Sequence, residues 1–288
     1  MTQTINTNLV SLNAQRNMSG TQASLATAMQ RLSSGLRVNS AKDDAAGLAI
    51  AERMTSQVKG MNVAVRNAGD GISMAQVAEG AMGKTSDLLQ RMRELAVQAR
   101  NATNSSSDKD SLDKEFGELA KEVQRVLGGT TFNGKHVVGS EAGTMTFQVG
   151  ANTTANDSID IATSDMTSAT EITTLAGTDS LGTGRATIDS ASTSATLATV
   201  IDNIDVALDK INSERATLGA TQSRFDAVIS NLQISSENQA AAKSRIMDAD
   251  FAAETAALSR AQVLQQAGNA MVAQANQLPQ QVLSLLKG

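Results

Sequence analysis

Few stretches of this 288-residue chain carry residue types that could do chemistry. Gly83-Lys-Thr85 has the ending of a phosphate loop, in which glycine amides cradle phosphates and the lysine neutralises them. That motif needs a glycine five residues before Gly83, and position 78 is alanine; the stretch also lies inside a helical pattern. His136 is the only histidine. A Ser-His-Asp relay would rest on it alone, and the paired histidines of a zinc protease are excluded. It follows a turn signal and reads as a surface side chain. Asp43-Asp44, and Asp248 with Asp250, could place carboxylates for acid–base work or for a hard cation. Both pairs stand where helices begin, so capping is the simpler reading, and a cation site would want more oxygen ligands. These residues make no catalytic constellation. The chain reads as non-enzymatic, with no cofactor and no metal.

Composition narrows the class further. There is no Trp, Tyr or Cys, a single Pro (Pro279), and only five Phe. Large rings supply much of an ordinary core; here Ala, Leu, Val, Ile and Met remain, the set that packs between helices. The formal net charge of −5 is spread along the chain. No basic stripe or aromatic ladder suggests nucleic acid. No apolar run of about eighteen residues could span a membrane. The first residues lack a basic region followed by an apolar run, so a Sec signal peptide is not expected.

The elements that must position these residues fall in three zones. Residues 1–128 and 195–288 read as helix, with strands, turns and loop between. Leu25, Met29, Leu32 and Leu36 follow helical spacing, and Ser33-Ser34-Gly35 predicts a stop, since Gly can take the left-handed conformation. Ser40-Ala-Lys-Asp43 predicts a capping box that opens the next helix. From Asp44 to Arg100 no Pro intervenes, so one helix of roughly 85 Å is expected, with a defect at Gly69-Asp-Gly71. Asn101 to Asp110 reads as a polar turn, and a shorter helix follows over Leu112–Leu127. Near the end, Leu197, Ile204, Ile211, Leu218, Phe225 and Leu232 recur every seven residues. Ile201, Leu208 and Ile229 fill alternate positions, while Arg215 and Gln222 interrupt them. This is a coiled-coil seam. Leu264, Met271, Leu278 and Leu285 repeat the pattern, with Gly268, Ala275 and Val282 between. Both chain ends therefore want helical partners, and one chain pairing its own ends leaves apolar surface over. In the middle, Met145, Phe147 and Val149 alternate, as do Ile159 and Ile161, which predicts a small β-hairpin region. Phe132-Asn-Gly-Lys135 is a turn signal. Residues 163–196 are roughly half Ser and Thr and read as a solvated loop.

Several motifs resemble the flagellin family over nearly the whole chain. At the front stand Ile5-Asn-Thr-Asn8, the run Arg31-Leu-Ser-Ser-Gly-Leu-Arg-Val-Asn-Ser-Ala-Lys-Asp-Asp-Ala-Ala-Gly47, Arg66-Asn-Ala-Gly-Asp-Gly-Ile72 and Leu89-Gln-Arg-Met-Arg-Glu-Leu-Ala-Val-Gln98. At the back stand Ser244-Arg-Ile-Met-Asp-Ala-Asp-Phe251, Ser259-Arg-Ala-Gln-Val-Leu-Gln-Gln-Ala-Gly268 and the run from Ala273 through Leu278-Pro-Gln-Gln-Val-Leu-Ser-Leu-Leu286. A Lys287-Gly288 tail replaces the Arg with which many flagellins end.

The resemblance implies a mainly α fold: an elongated antiparallel helical bundle or coiled coil from both termini, with a small central β-hairpin region. Residues 1–40 and 246–288 would be the two halves of an inner coiled-coil domain. Residues 41–162 and 197–245 would form an outer rod domain carrying the hairpin, and 163–196 a short variable loop. It implies a secreted subunit that polymerises with itself into the extracellular flagellar filament for swimming, after type III export. The partners it implies are an export chaperone on the C-terminal segment, the filament cap, hook–filament junction proteins and, in a host, a flagellin-sensing Toll-like receptor. Neither nucleic acid nor membrane is among them. Receptor contacts carry over to Arg91, Leu95 and Glu115, supported by Gln90, Gln98, Ile204 and Leu208; the last two also lie on the seam, where packing comes first. Val282, Leu283, Leu285 and Leu286 match a motif sensed by a cytosolic inflammasome receptor. The polymerisation seam is expected at Leu25, Met29, Leu32, Leu264, Met271, Leu278 and Leu285. O-linked glycans on the central Ser/Thr zone also follow from the resemblance. The alternatives are a hook–filament junction protein and a non-flagellar coiled-coil surface module.

Overall fold

The computed structural model describes residues 7–287, with side chains described through Gln277. Its helices are α1 (Leu9–Ser34), α2 (Ala45–Ala99), α3 (Ser106–Gly129), α4 (Thr170–Ala176), α5 (Ser194–Met247) and α6 (Phe251–Lys287). Two antiparallel hairpins lie between α3 and α4: β1 (Thr131–Phe132) with β2 (Lys135–His136), and β3 (Thr144–Gln148) with β4 (Ser158–Ala162). The fold is thus mainly helical with a small β region, as the sequence leads one to expect. The chain divides into two compact units: residues 57–236, and residues 1–56 together with 237–288.

Helix ends follow local chemistry. The Asn8 side chain accepts from the Ser11 amide at the start of α1, and Gly35 ends it at φ 72°, donating to the Arg31 carbonyl. Only Gly takes that left-handed conformation without penalty. The opening of α2 differs from expectation. Asp43 accepts from the Asn39 and Ser40 amides and the Ser40 hydroxyl, closing a turn that precedes the helix. These bonds, the Ser40 amide first, hold its carboxyl below the usual range. The cap is the next residue: Asp44 accepts from the Gly47 amide at 2.8 Å, and Leu48 bonds back to the Asp44 carbonyl. Nor is Asn101–Asp110 wholly turn. Ser105 and Asp108 form a reciprocal capping box that starts α3 six residues before the predicted Leu112. The Asn-Gly signal is realised with Asn133 and Gly134 both at positive φ, 49° and 80°, the geometry that joins two strands with the right twist.

In unit 57–236 the buried stripe of α2 (Ala68, Ala75, Met82, Leu89, Met92, Leu95, Ala99) meets the heptad series Leu197, Ile204, Ile211, Leu218 and Phe225 of α5, with Phe116, Ala120, Val123 and Leu127 of α3 completing one continuous core. The β3–β4 hairpin adds Ile159 and Ile161. Its Phe147 ring meets Phe225 edge to face, centroids 5.8 Å apart, a geometry the ring quadrupole favours. Gly69-Asp-Gly71, expected as a defect, lies within unbroken helix. The physical reason for Gly71 is close approach: a Cβ there would stand 2.8 Å from Phe225 Cζ. Glycine in this helix makes room for an aromatic ring.

The Ser/Thr-rich segment 163–196 is also corrected. It is not a solvated loop throughout, because Met166, Ile172, Leu175, Ala176 and Ile188 are buried in the core. Its sparse apolar residues are anchored by polar side chains of α3. Asp113 takes both Arg185 guanidinium nitrogens, at 2.9 and 2.6 Å, and the Ile188 amide at 2.9 Å. Asp110 takes the Ser190 amide, and the Gln124 amide donates to the Gly177 carbonyl. Burial alone would raise the Asp113 carboxyl, but the Arg185 and Ile188 bonds outweigh it and hold it below its ordinary value.

Candidate assembly surface

The other unit is built on α1 and α6. Asn8 donates to the Ala275 carbonyl at 2.7 Å, Ser11 to Asn276 at 2.7 Å, and Arg31 pairs with Glu254 at 3.7 Å. These pairs run in opposite sequence order, so the helices are antiparallel. Their meeting faces follow 3–4 spacing: Ser11, Ala14, Met18, Thr21, Leu25, Ala28 and Leu32 on α1, with Leu258, Ala261, Gln265, Gly268, Val272 and Ala275 on α6. The fully buried members are Ser11, Ala28, Ala261 and Ala275. Small residues let two helix backbones approach closely. The junction of α5 and α6 is tied to the end of α1 by Arg37 and Ala249 amides bonded to the Met247 and Gly35 carbonyls.

Several larger apolar residues of the same helices lie off that face. Leu9, Val10, Leu12 and Met29 on α1 are exposed, as are Phe251, Val263, Leu264 and Met271 on α6. The heptad Leu264–Met271 is therefore not the seam between the two helices; Gly268 and Ala275, between its members, are. Leu25 and Leu32 are half-buried in the intrachain seam, and Met29 lies outside it. Leu278 and Leu285, and with them Val282, Leu283 and Leu286, lie outside the described side chains. Leu9, Val10, Met18, Leu264 and Met271 line a groove of 580 Å³ along α1 and α6. Burying one Leu or Met side chain contributes roughly 1.5–3 kcal/mol. The residues of this groove leave apolar area of both helices uncovered, the kind of surface that marks a protein contact.

In the unit 57–236, the receptor-type residues separate into two groups. Gln90, Arg91, Gln98 and Glu115 are exposed. Arg91 is brought 2.8 Å from Glu115 across α2 and α3, and also to Glu94; the Glu94 and Glu115 bonds hold its guanidinium further toward the charged form. Leu95 and Ile204 are buried in the core, and Leu208 is half-buried. Leu95 of α2 and Ile204 of the α5 heptad series are packed in the core of this unit. The sequence reading passed over Arg93, which grips Asp205 of α5 at 2.7 and 3.2 Å beside the same surface; an Arg and an Asp 112 residues apart give no local signal.

The stretches that suggested chemistry lie in plain structural settings. Gly83-Lys-Thr85 is mid-helix, Lys84 pairs with Asp87, and Thr85 donates to the Ala81 carbonyl. Glu141 accepts from the His136 backbone amide. Among the described residues, no cluster of His, Cys, Asp or Glu could hold a metal, and no helix is long and apolar enough to cross a membrane.

Comparison with known proteins places the chain in a family. The bacterial flagellin N-terminal helical region matches residues 5–143, and the bacterial flagellin C-terminal helical region matches residues 201–286. A flagellin of Halalkalibacterium halodurans is 44% identical over 98% of this chain and 99% of its own length. A flagellin of Xenorhabdus nematophila is 42% identical over the full length of both. A crystal structure of Bacillus cereus flagellin is 33% identical, covering 58% of this chain and 88% of that one, with a TM-score of 0.47. The small-residue seam and the apolar faces beside it are thus features of a chain that belongs to the bacterial flagellin family.

Proposed function

We propose that this protein is the structural subunit of an extracellular bacterial flagellar filament, formed by self-assembly, and that it performs no catalysis. One observation carries the reading: α1 and α6 bury Ser11, Ala28, Ala261 and Ala275 where they meet and leave Leu9, Val10, Leu264 and Met271 exposed beside that seam. Such a surface is covered when copies pack side by side. Heterologous contacts of this kind, repeated without closing, give a helical array. Family membership supplies the identity of that array.

In this reading, residues 1–40 and 246–288 form an inner domain around the filament axis. Residues 41–162 and 197–245 form the outer domain, with the 163–196 segment clasped to α3. An export chaperone would cover the C-terminal segment before assembly, and cap and junction proteins would bound the filament. In a host, exposed Gln90, Arg91, Gln98 and Glu115 would face a flagellin-sensing Toll-like receptor, while Leu95, Ile204 and Leu208 shape the helices beneath. Purified protein examined by electron microscopy after induced assembly should give micrometre-long filaments. A variant lacking residues 1–34 and 251–288 should give none. Discrete oligomers from the intact chain would instead favour a coiled-coil surface module, and a failure to elongate alone would favour a junction protein.

A further inference from the structure

We propose that Met29 and Met271 are a redox-sensitive modification site: oxidation of these thioethers in the unassembled subunit blocks polymerisation, and reduction restores it. The inference rests on the filament reading, and it starts from how the methionines are distributed. Met74, Met82, Met92 and Met166 are core fillers with 0–1% exposure, whereas Met29 and Met271 are 57% and 61% exposed. Among the described residues these two are the exposed methionines, Met18, Met54, Met145 and Met247 being half-buried, and both lie on the helices that leave Leu9, Val10 and Leu264 uncovered. Met271 lines the α1–α6 groove beside Leu9, Val10 and Leu264.

Accessibility decides which thioether reacts, since peroxide must reach the sulfur lone pair. That lone pair attacks one peroxide oxygen and the O–O bond breaks. The methionine becomes a sulfoxide, oxidised by two electrons, and the peroxide is reduced to water. The consequence depends on the state of the subunit. In the free monomer the new S=O dipole stays hydrated, so the fold tolerates it. Between apolar faces of packed subunits it becomes a buried acceptor without a donor, an arrangement that opposes association. The core methionines are shielded in both states. Oxidation would therefore be silent in the folded monomer and would tell only at assembly. Because sulfoxides can be reduced enzymatically, the block is reversible.

The test is brief exposure of the purified monomer to hydrogen peroxide. Peptide mass spectrometry follows each methionine, and elongation from preformed filament seeds is compared treated against untreated. Met29 and Met271 should oxidise at least ~10-fold faster than Met74, Met82 and Met92. Treated wild type should lose most of its elongation rate with an unchanged circular dichroism spectrum, and sulfoxide reductases acting on both epimers should restore it. In M29L/M271L, the ratio of treated to untreated rate should stay near one, whatever its untreated rate. Equal oxidation of exposed and core methionines would overturn the proposal. So would undiminished elongation of oxidised wild type, failure of repair, or the same peroxide sensitivity in the double variant. If untreated wild type forms no filaments, the filament reading falls and this one with it, a result distinct from normal growth indifferent to peroxide.

Discussion

The two units of this chain use the same helical grammar and bury opposite things. In residues 57–236 the large side chains go inside: Phe116, Phe225, Met82, Leu89 and Leu95 are each at most 1% exposed. On α1 and α6 the buried residues are Ser11, Ala28, Ala261 and Ala275, while Met29, Phe251, Leu264 and Met271 are exposed. The first arrangement satisfies itself within one chain. The second leaves apolar area uncovered that other copies can bury. The difference teaches that the stability of one unit and the assembly of the other are separable properties.

That separation can be broken or sharpened by substitution. The largest expected effect is Phe225→Ala, which removes the ring that packs on Gly71 and Phe147. It should cost about 3–5 kcal/mol of unfolding free energy, measured by chemical denaturation. A cost near zero would mean that this core is not the stabilising one. Next is Asp113→Asn, which leaves Arg185 without its charged partner and should cost about 1–3 kcal/mol. The sign of its pH dependence follows from the depressed carboxyl. Asp113 contributes fully above the ordinary aspartate value of about 3.9, and the contribution is lost as pH falls through the lower folded-state value. The difference between wild type and variant should therefore shrink in acid, with the 163–196 segment gaining protease sensitivity first. The smallest effect on the monomer is expected for Leu264→Gln, within about 0.5 kcal/mol because the side chain is already in water. Filament growth should nevertheless fail. If it proceeds normally, the exposed face of α6 is not an assembly surface.

Much of this was legible in the sequence. The seven-residue repeat from Leu197 to Phe225 marks a buried stripe because a helix returns to the same face at that spacing. Gly35 as a helix stop, the Asn133-Gly134 turn and the alternation over Met145–Val149 are local rules, each realised within a few residues. The candidate surface was only half legible. Leu264 and Met271 read as a seam because periodicity gives a stripe without saying which partner covers it, whereas Gly268 and Ala275 at the alternate positions are small enough to signal close helix approach. Likewise Leu95 and Ile204 carried over as contact residues, although their spacing also suits the core.

The sequence by itself determined the helical class, the stop at Gly35 and the two chain termini as regions needing helical neighbours, because propensity, capping and periodicity act over a few residues. Tertiary structure alone decided that Gly71 makes room for Phe225, that Asp113 clasps Arg185 over a stretch that otherwise reads as loop, and that Leu264 and Met271 lie outside the α1–α6 seam. Each of those depends on side chains far apart in the chain arriving within a few ångströms, and close packing there selects the partner by shape rather than by hydrophobicity.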